Sequence, residues 1–463
     1  MPAPTDRTSI SVKSERAVLA AVRLPDSFYD PRDPFGELRS LAEQAGAIVV
    51  GEMEQRLSRP VAATFMGSGK VEELKRLCDA LDATLVIFDH DLSPSQIGNI
   101  EEVVGRKVID RSELILDIFA SRATTHEAKL QVEMAQLEYT YPRLRAMWDH
   151  LERIVGHGGI GGIGTRGPGE QQLEIDRRLV QRKKLELKRE LDQIHARKRR
   201  MVRERRAEHY TVCLVGYTNA GKSTLFNTLT AGGAYADDRV FATLVTRTRE
   251  WDVGGGLNVM LSDTVGFVRN LPHHLIASFR ATLEEATHAD LLLIVLDVSD
   301  PAAEMQYETV TRTLDELIAE TAEREAGEVD ATGGTGWGAW RPPERLLLLN
   351  KVDRLADNRD VLVWTNKVPG SIPISAKDPN HPGHQQLRER VLAGAQGGVV
   401  EVELTLPMWE SRAILMAENR AQVLDRQYDN GTVRLRVRIG RRQLDQLRSA
   451  VGGVGLEVRE VGA

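Results

Sequence analysis

Two cysteines in 463 residues, Cys78 and Cys213, are too few and too far apart for a disulfide framework or a thiolate zinc site. Each reads as a small buried apolar residue. No apolar run reaches the ~18 residues that a membrane span needs, so no stable membrane insertion is expected. The opening stretch MPAPTDRTSISVKSER has no hydrophobic centre of the kind a signal peptide carries, which leaves the cytoplasm as the expected location. What is present is 41% hydrophobic and 28% charged residues, a globular composition, over a length that favours several domains. The net charge of -6 hides one basic segment: residues 170–206 hold fourteen Lys/Arg against seven Asp/Glu, a local excess suited to a polyanion.

Along the chain, residues 17–123 alternate apolar strands with helical patterns (AVLAAVRL, FGELRSLAEQAG, AIVVGEM, KVEELKRLCDAL, TLVIFDHDL), which predicts an N-terminal α/β domain, 1–123, with a largely parallel sheet. Its G-S-G-K at Gly67–Lys70 lacks the first glycine and the Ser/Thr of a phosphate loop, and reads as a turn opening a helix. Thr124 and Glu127 then announce a long helix as a capping box, with Leu130, Met134, Leu137, Tyr141, Leu144 and Trp148 on one stripe. A second helix repeats Leu173, Val180, Leu187, Ile194 and Met201 every seven residues. The two are expected to pair as an antiparallel helical hairpin, 124–207, with the glycine-rich stretch GHGGIGGIGTRGPGE (Gly156–Glu170) as its tip. That tip contains a formal G-x-G-x-x-G at Gly159, Gly161 and Gly164, but helices flank it on both sides, whereas a dinucleotide loop joins a strand to a helix.

The alternation resumes over 208–395 as a doubly wound P-loop domain, including a helix over about 275–286 and interrupted by a glycine-rich surface insertion at 325–343. A compact α+β domain, 396–463, closes the chain: a strand, a helix over Trp409–Tyr428, an Asn430-Gly431 turn, the strand TVRLRVRI, a helix and a last strand.

The chemistry concentrates in four motifs at strand ends. GYTNAGKS supplies Gly216, Tyr217, Thr218, Asn219, Ala220, Gly221, Lys222 and Ser223, followed by Thr224. Backbone N–H groups of such a loop wrap phosphates, Lys222 pairs with β/γ oxygens, and the Ser223 hydroxyl ligates Mg²⁺. Asp263, Thr264, Val265 and Gly266 follow a strand about 40 residues later, with Asp263 near the metal directly or through water. Asn350, Lys351, Val352 and Asp353 end a third strand, and Ser375, Ala376 and Lys377 a fourth. A carboxylate such as Asp353 accepts from N1–H and the 2-amino group of guanine and finds no such pair on adenine, so GTP is the expected nucleotide, with GDP as product. The switch threonine that completes the metal site is expected at Thr243, within Phe241, Ala242, Thr243, Leu244 and Val245; Thr246 and Thr248 are weaker choices. Metal ligands are thus Ser223, Thr243 and Asp263, and the catalytic set is Lys222, Thr243, Gly266 and Asn219. A glutamine after D-x-x-G is missing: the position is Phe267, which cannot orient water, so slow intrinsic hydrolysis is expected. Asn219 stands open between holding a K⁺ that replaces an arginine finger and simply bracing the loop. His273 and His274 read as a solvated helix start rather than a base.

Together, GGIGTRGPGE, QLEIDRR, GYTNAGKS, FATL, DTVGF and NKVD, with LSPSQ, VIDR and KLQVEMAQLEY earlier, resemble the HflX family of ribosome-associated GTPases over roughly residues 17–395. The resemblance implies a monomeric factor with no DNA partner that binds the large (50S) ribosomal subunit as GTP complex and splits or rescues stalled, stressed or idle ribosomes, which stimulate its hydrolysis. It implies base contacts at Asn350, Asp353, Ser375 and Ala376, and a hairpin tip that approaches the peptidyl-transferase centre. The rRNA contacts expected there are Gly159, Gly161, Gly162, Gly164, Thr165, Arg166 and Gly167, then Arg177 and Arg178. Val245 stands where the family commonly has aspartate, and the first domain shows no complete phosphate motif for the ATP binding reported of some members. The competing reading is a subunit-binding, anti-association module in which hydrolysis only drives release. A GTPase of RNA modification would need a catalytic module for which no motif is visible.

Overall fold

The computed structural model describes residues 15–460 apart from 26, 28, 31, 156–167, 231–245, 255–256, 270–284, 333–339, 430 and 452–455; over 142–155, 168–177, 199, 203–208, 327–332, 412, 416, 419–420, 442, 446, 449–451 and 460 it describes backbone only. The architecture is multidomain α/β, as the sequence predicts. The first sheet is parallel, in the order β2-β1-β3-β4, formed by β1 (Arg16–Arg23), β2 (Ile48–Arg56), β3 (Leu85–Phe88) and β4 (Lys107–Ile109). The helices α1 (Gly36–Gln44), α2 (Ser68–Ala80), α3 (Pro94–Val104) and α4 (Arg111–Arg122) cover it. Strand β1 explains the two layers: Ala17, Leu19 and Ala21 face a core with α1 and α4, while Val18, Ala20 and Val22 face a second core with α2 and α3. Gly67 caps α2, so the G-S-G-K stretch opens a helix as expected.

The long helices α5 (His126–Val155) and α6 (Pro168–Glu208) pack antiparallel: Leu130 and Met134 meet Leu187 and Leu191, and Glu127 meets Lys198 at 2.7 Å. The start of α5 is held one residue later than the capping box suggests, by the Thr125 hydroxyl accepting from the Ala128 N–H. Among the described residues of the α6 heptad stripe, Leu187 is buried and Met201 is 47% exposed. Val132 and Ala135 on α5 enter the first sheet's core, which seats the hairpin on that sheet. The glycine-rich tip lies outside the described residues.

The second sheet runs β10-β9-β8-β5-β7-β6 and contains β5 (Thr211–Gly216), β6 (Arg247–Gly254), β7 (Leu257–Asp263), β8 (Leu291–Asp297), β9 (Glu344–Asn350) and β10 (Ile372–Pro373). All neighbours pair in parallel except β6 with β7. Around it lie α7 (Lys222–Leu229), α8 (Ala303–Thr332), α9 (Arg359–Lys367) and α10 (Pro382–Gln396). Helix α8 runs on through Thr332, so the first part of the expected insertion at 325–343 is helical. His288 Nε2 meets Glu325 at 3.1 Å, which ties that extension to the sheet. The helix expected over 275–286 falls largely outside the described residues.

The third sheet is antiparallel, β12-β13-β11-β14, from β11 (Val399–Pro407), β12 (Gln422–Asp429), β13 (Thr432–Gly440) and β14 (Glu457–Glu460), with α11 (Ser411–Arg420) and α12 (Arg441–Val451) against it. The β-α-β-β-α-β order corrects one expectation: the helix read over Trp409–Tyr428 stops at Arg420, and Gln422–Asp429 is a strand. It pairs with β13 around the Asn430-Gly431 turn, a loop that demands a strand before it. Both cysteines are free and buried, as expected. Among the described residues no helix is long and apolar enough to cross a membrane.

Candidate functional site

The carboxyl ends of β5, β7, β8 and β9 converge on the loop between β5 and α7. Gly221 caps α7 at φ 94, and a Cβ there would lie 2.3 Å from the Asn350 side-chain nitrogen, so only glycine fits. Asn219 also takes the left-handed region (φ 61), which asparagine tolerates. Its side chain is exposed.

Four hydrogen bonds assemble the rest. Asn350 Nδ2 donates to the Ala220 carbonyl at 2.7 Å, and its Oδ1 accepts from Ala376 N–H at 2.9 Å, so one buried amide joins the phosphate loop to the Ser375–Lys377 turn. The Ser375 hydroxyl donates to Asp353 at 2.6 Å and orients that carboxylate. Ser223 Oγ donates to the buried Asp263 at 2.7 Å. Asn350 is therefore a cross-brace, and Asp353, three residues on, is exposed. Lys351, at φ 64, reaches Asp297 at 2.6 Å, a partner that local motif reading did not single out.

Lys222 is buried, and its Nζ donates to the carbonyls of Gly216 and Tyr217 at 3.1 and 2.7 Å. Burial pushes its pKa down to about 8, Asp263 opposing and the Lys351 cation adding to the shift. Gly266 rests against this lysine: a Cβ would stand 2.8 Å from both Lys222 Nζ and Thr218 Cα. The following residue is zipped to the loop, Phe267 N–H donating to Gly216 and Phe267 carbonyl accepting from Thr218 at 3.0 and 2.8 Å. Its side chain is buried in the core cluster that also holds Cys213 and Tyr217. Thr264 donates to the Leu214 carbonyl at 2.7 Å, while Val265 turns outward into the core of the first sheet.

Phe241–Val245, including Thr243, and both His273 and His274 lie outside the described residues. Thr248 is a residue of β6, 3.0 Å from Ser262. Among the hairpin residues expected at rRNA, Arg178 is exposed on α6; the backbone of Arg177 is helical, and Gly159–Gly167 lie outside the described residues.

The chain matches three family models: "GTP-binding GTPase N-terminal" over 32–120, "GTP-binding GTPase Middle Region" over 122–206 and "50S ribosome-binding GTPase" over 211–327. It is 46% identical over 315 residues to the GTPase HflX of Lacrimispora saccharolytica, spanning 68% of this chain and 73% of that protein. The HflX of Caldanaerobacter subterraneus is 36% identical over 94% of each chain, and that of Escherichia coli 39% identical over 87% and 89%. The chain belongs to the HflX GTPase family. As an HflX GTPase it binds GTP and GDP and is a GTP hydrolase, and its nucleotide domain is of the ribosome-binding GTPase type. A crystal structure of a GTP-binding protein from Sulfolobus solfataricus with GDP covers 82% of this chain and 98% of its own, at 22% identity and a TM-score of 0.39.

Proposed function

We propose that this HflX GTPase acts on the large ribosomal subunit in its GTP form and splits or rescues stalled, stressed or idle ribosomes, with slow intrinsic hydrolysis that the ribosome accelerates. The observation that carries the reading is one chain in which a nucleotide site of the ribosome-binding GTPase type follows directly on a paired helical hairpin over 70 residues long in its two helices. Helices of 30 and 41 residues are long enough to reach tens of ångströms, at about 1.5 Å per residue.

At the site, Asp353 takes the guanine N1–H and 2-amino donors, oriented by Ser375, with Ala376 beside it. The Gly216–Thr224 loop takes the phosphates, and Lys222 turns from its two loop carbonyls to the β/γ oxygens. The Ser223 hydroxyl and Asp263 carboxylate are the hard oxygen donors that Mg²⁺ requires, with Thr243 as further ligand; when bound, the ion neutralises phosphate charge. Gly266 N–H faces the γ-phosphate, and buried Phe267 leaves the attacking water without a protein orienter, which is why hydrolysis waits for the ribosome. In this reading the exposed Asn219 helps to hold a K⁺; equal rates in Na⁺ and K⁺ buffers, with and without ribosomes, would remove that role.

Sucrose-gradient sedimentation of intact ribosomes with the protein and GTP, or a non-hydrolysable analogue, tests the whole. Conversion to subunits is expected. Ribosomes that remain intact while free subunits bind the protein would replace splitting with the anti-association role.

A further inference from the structure

The first sheet changes direction between β1 and β3: β2 lies beyond one and β4 beyond the other. In open parallel sheets the crevice at the carboxyl ends of such a pair is where ligands bind. Here those ends carry Arg23, the last residue of β1, and Asp89, just past β3, with Arg111 starting α4 and Glu37 in the first turn of α1. The crevice already has an occupant. Arg269, three residues past Gly266, places its guanidinium there, with Nη2 at 3.1 and 2.9 Å from the two oxygens of Asp89 and Nε at 3.2 Å from Glu37.

The main chain of Arg269 is gripped as well. Its N–H donates to the Tyr217 hydroxyl at 2.8 Å, that hydroxyl donates to Glu37 at 2.6 Å, and Arg111 donates to the Arg269 carbonyl at 3.1 Å. Asp89 is almost fully buried; burial would raise its pKa, but the guanidiniums of Arg111, Arg269 and Arg23 outweigh it and hold the carboxyl below its usual range. Val265 and Val268 complete the anchor by packing into the core made by Leu19, Phe119 and Val132. These contacts do not glue remote surfaces. They converge on Tyr217 of the phosphate loop and on the segment whose Gly266 touches Lys222 and Thr218.

We propose that Arg269 is a positioning residue for GTP hydrolysis: the first sheet's ligand crevice takes its guanidinium as an internal ligand and thereby fixes Gly266 beside Lys222. Glu37 and Tyr217 act with it, so the N-terminal sheet belongs to the hydrolytic apparatus. This rests on reading Gly266 as the residue that faces the γ-phosphate.

The test is single-turnover GTP hydrolysis and nucleotide affinity of full-length R269A. A loss of at least about tenfold in rate with affinity held within about threefold is expected, as misplacement of a reacting site costs rate rather than binding. Added guanidinium ion fills the vacated crevice and restores the lost thermal stability, but not the rate, because the tether to Gly266 is gone. An unchanged or faster rate, a parallel loss of rate and affinity, or rescue of the rate by guanidinium would each overturn the proposal. Should R269A fail to fold, Y217F removes only the hydroxyl between Glu37 and the Arg269 N–H while keeping every charge; a reduced rate supports the proposal and an unchanged one sinks it. G266A run in parallel separates the two readings, since normal hydrolysis there removes the γ-phosphate role itself.

Discussion

Lys222 enters the nucleotide site from a costly starting point, buried with its ammonium on two carbonyls and its pKa near 8. Phosphate favours the charged form, so the bound pKa lies above the free one and binding takes up a proton wherever the pH is at or above about 8. Affinity for GDP is therefore expected to be flat below pH 7.5 and to fall as pH rises through the free pKa, by up to about tenfold per unit. Titration calorimetry at pH 8.5 in buffers of different ionisation enthalpy reads that uptake directly; none found would mean Lys222 is charged throughout. Asp353 admits a cleaner substitution. Asp353→Asn replaces an acceptor by a donor, which is expected to cost GTP about 3 kcal/mol, two orders of magnitude in affinity, and to favour xanthosine triphosphate, whose 2-oxo group accepts what the amide donates. Competition binding of the two nucleotides measures the switch, and an unaltered preference would remove Asp353 from base recognition. These residues were legible in the sequence because a phosphate loop and a guanine reader are each built from contiguous positions at a strand end. Arg269 was not: its partners Glu37 and Asp89 are 232 and 180 positions away, and nothing local marks them as one cluster.

The helical hairpin shows where periodicity informs and where it stops. Heptad spacing identified Leu187 and Ile194 as seam residues, but the same spacing promised Met201, which is exposed, because a stripe says which face is apolar and not how far the partner helix extends. Among the described residues the seam holds Leu130, Met134, Leu187 and Leu191 buried and Leu137 and Ile194 partly so. Lys183, Lys184 and Lys198 pair across it with Glu133, Glu138 and Glu127, which offsets part of the basic excess of α6. Such exposed pairs contribute about 0–1 kcal/mol each, whereas Leu→Ala in a buried seam costs about 2–5 kcal/mol. Leu187→Ala is expected to lower the midpoint of chemical denaturation far more than Lys183→Ala, and to uncouple hairpin amide-exchange protection from that of the nucleotide sheet. Equal effects would mean the hairpin is held by charge. A different kind of miss occurs at β12: valine, leucine and tyrosine in QVLDRQYD suit strand and helix alike, and only the Asn430-Gly431 turn, a long-range demand for two strands, decides it.

Over the full chain, the charge pattern gives the proposed polyanion contact its test. The net charge is -6, yet α6 carries a strong basic excess, and along the sequence Arg166, Arg177 and Arg178 lie nearer the glycine-rich stretch than Lys183, Lys184 and Lys198, which pair with Glu133, Glu138 and Glu127. Cations bound to phosphate release counterions, so log affinity for the large subunit is expected to fall linearly with log salt. Each lost phosphate contact flattens that line by about 0.7–0.9. The double substitution Arg166→Ala with Arg177→Ala is thus expected to reduce the slope by somewhat under two units and weaken binding most at low salt. Lys183→Ala with Lys184→Ala, whose partners are Glu133 and Glu138, is expected to leave the slope alone. Pelleting of subunits over a salt series distinguishes them. Identical slopes for both pairs and the parent chain would show that the hairpin meets the subunit through protein or glycine backbone, and the basic segment would then be a solvated face.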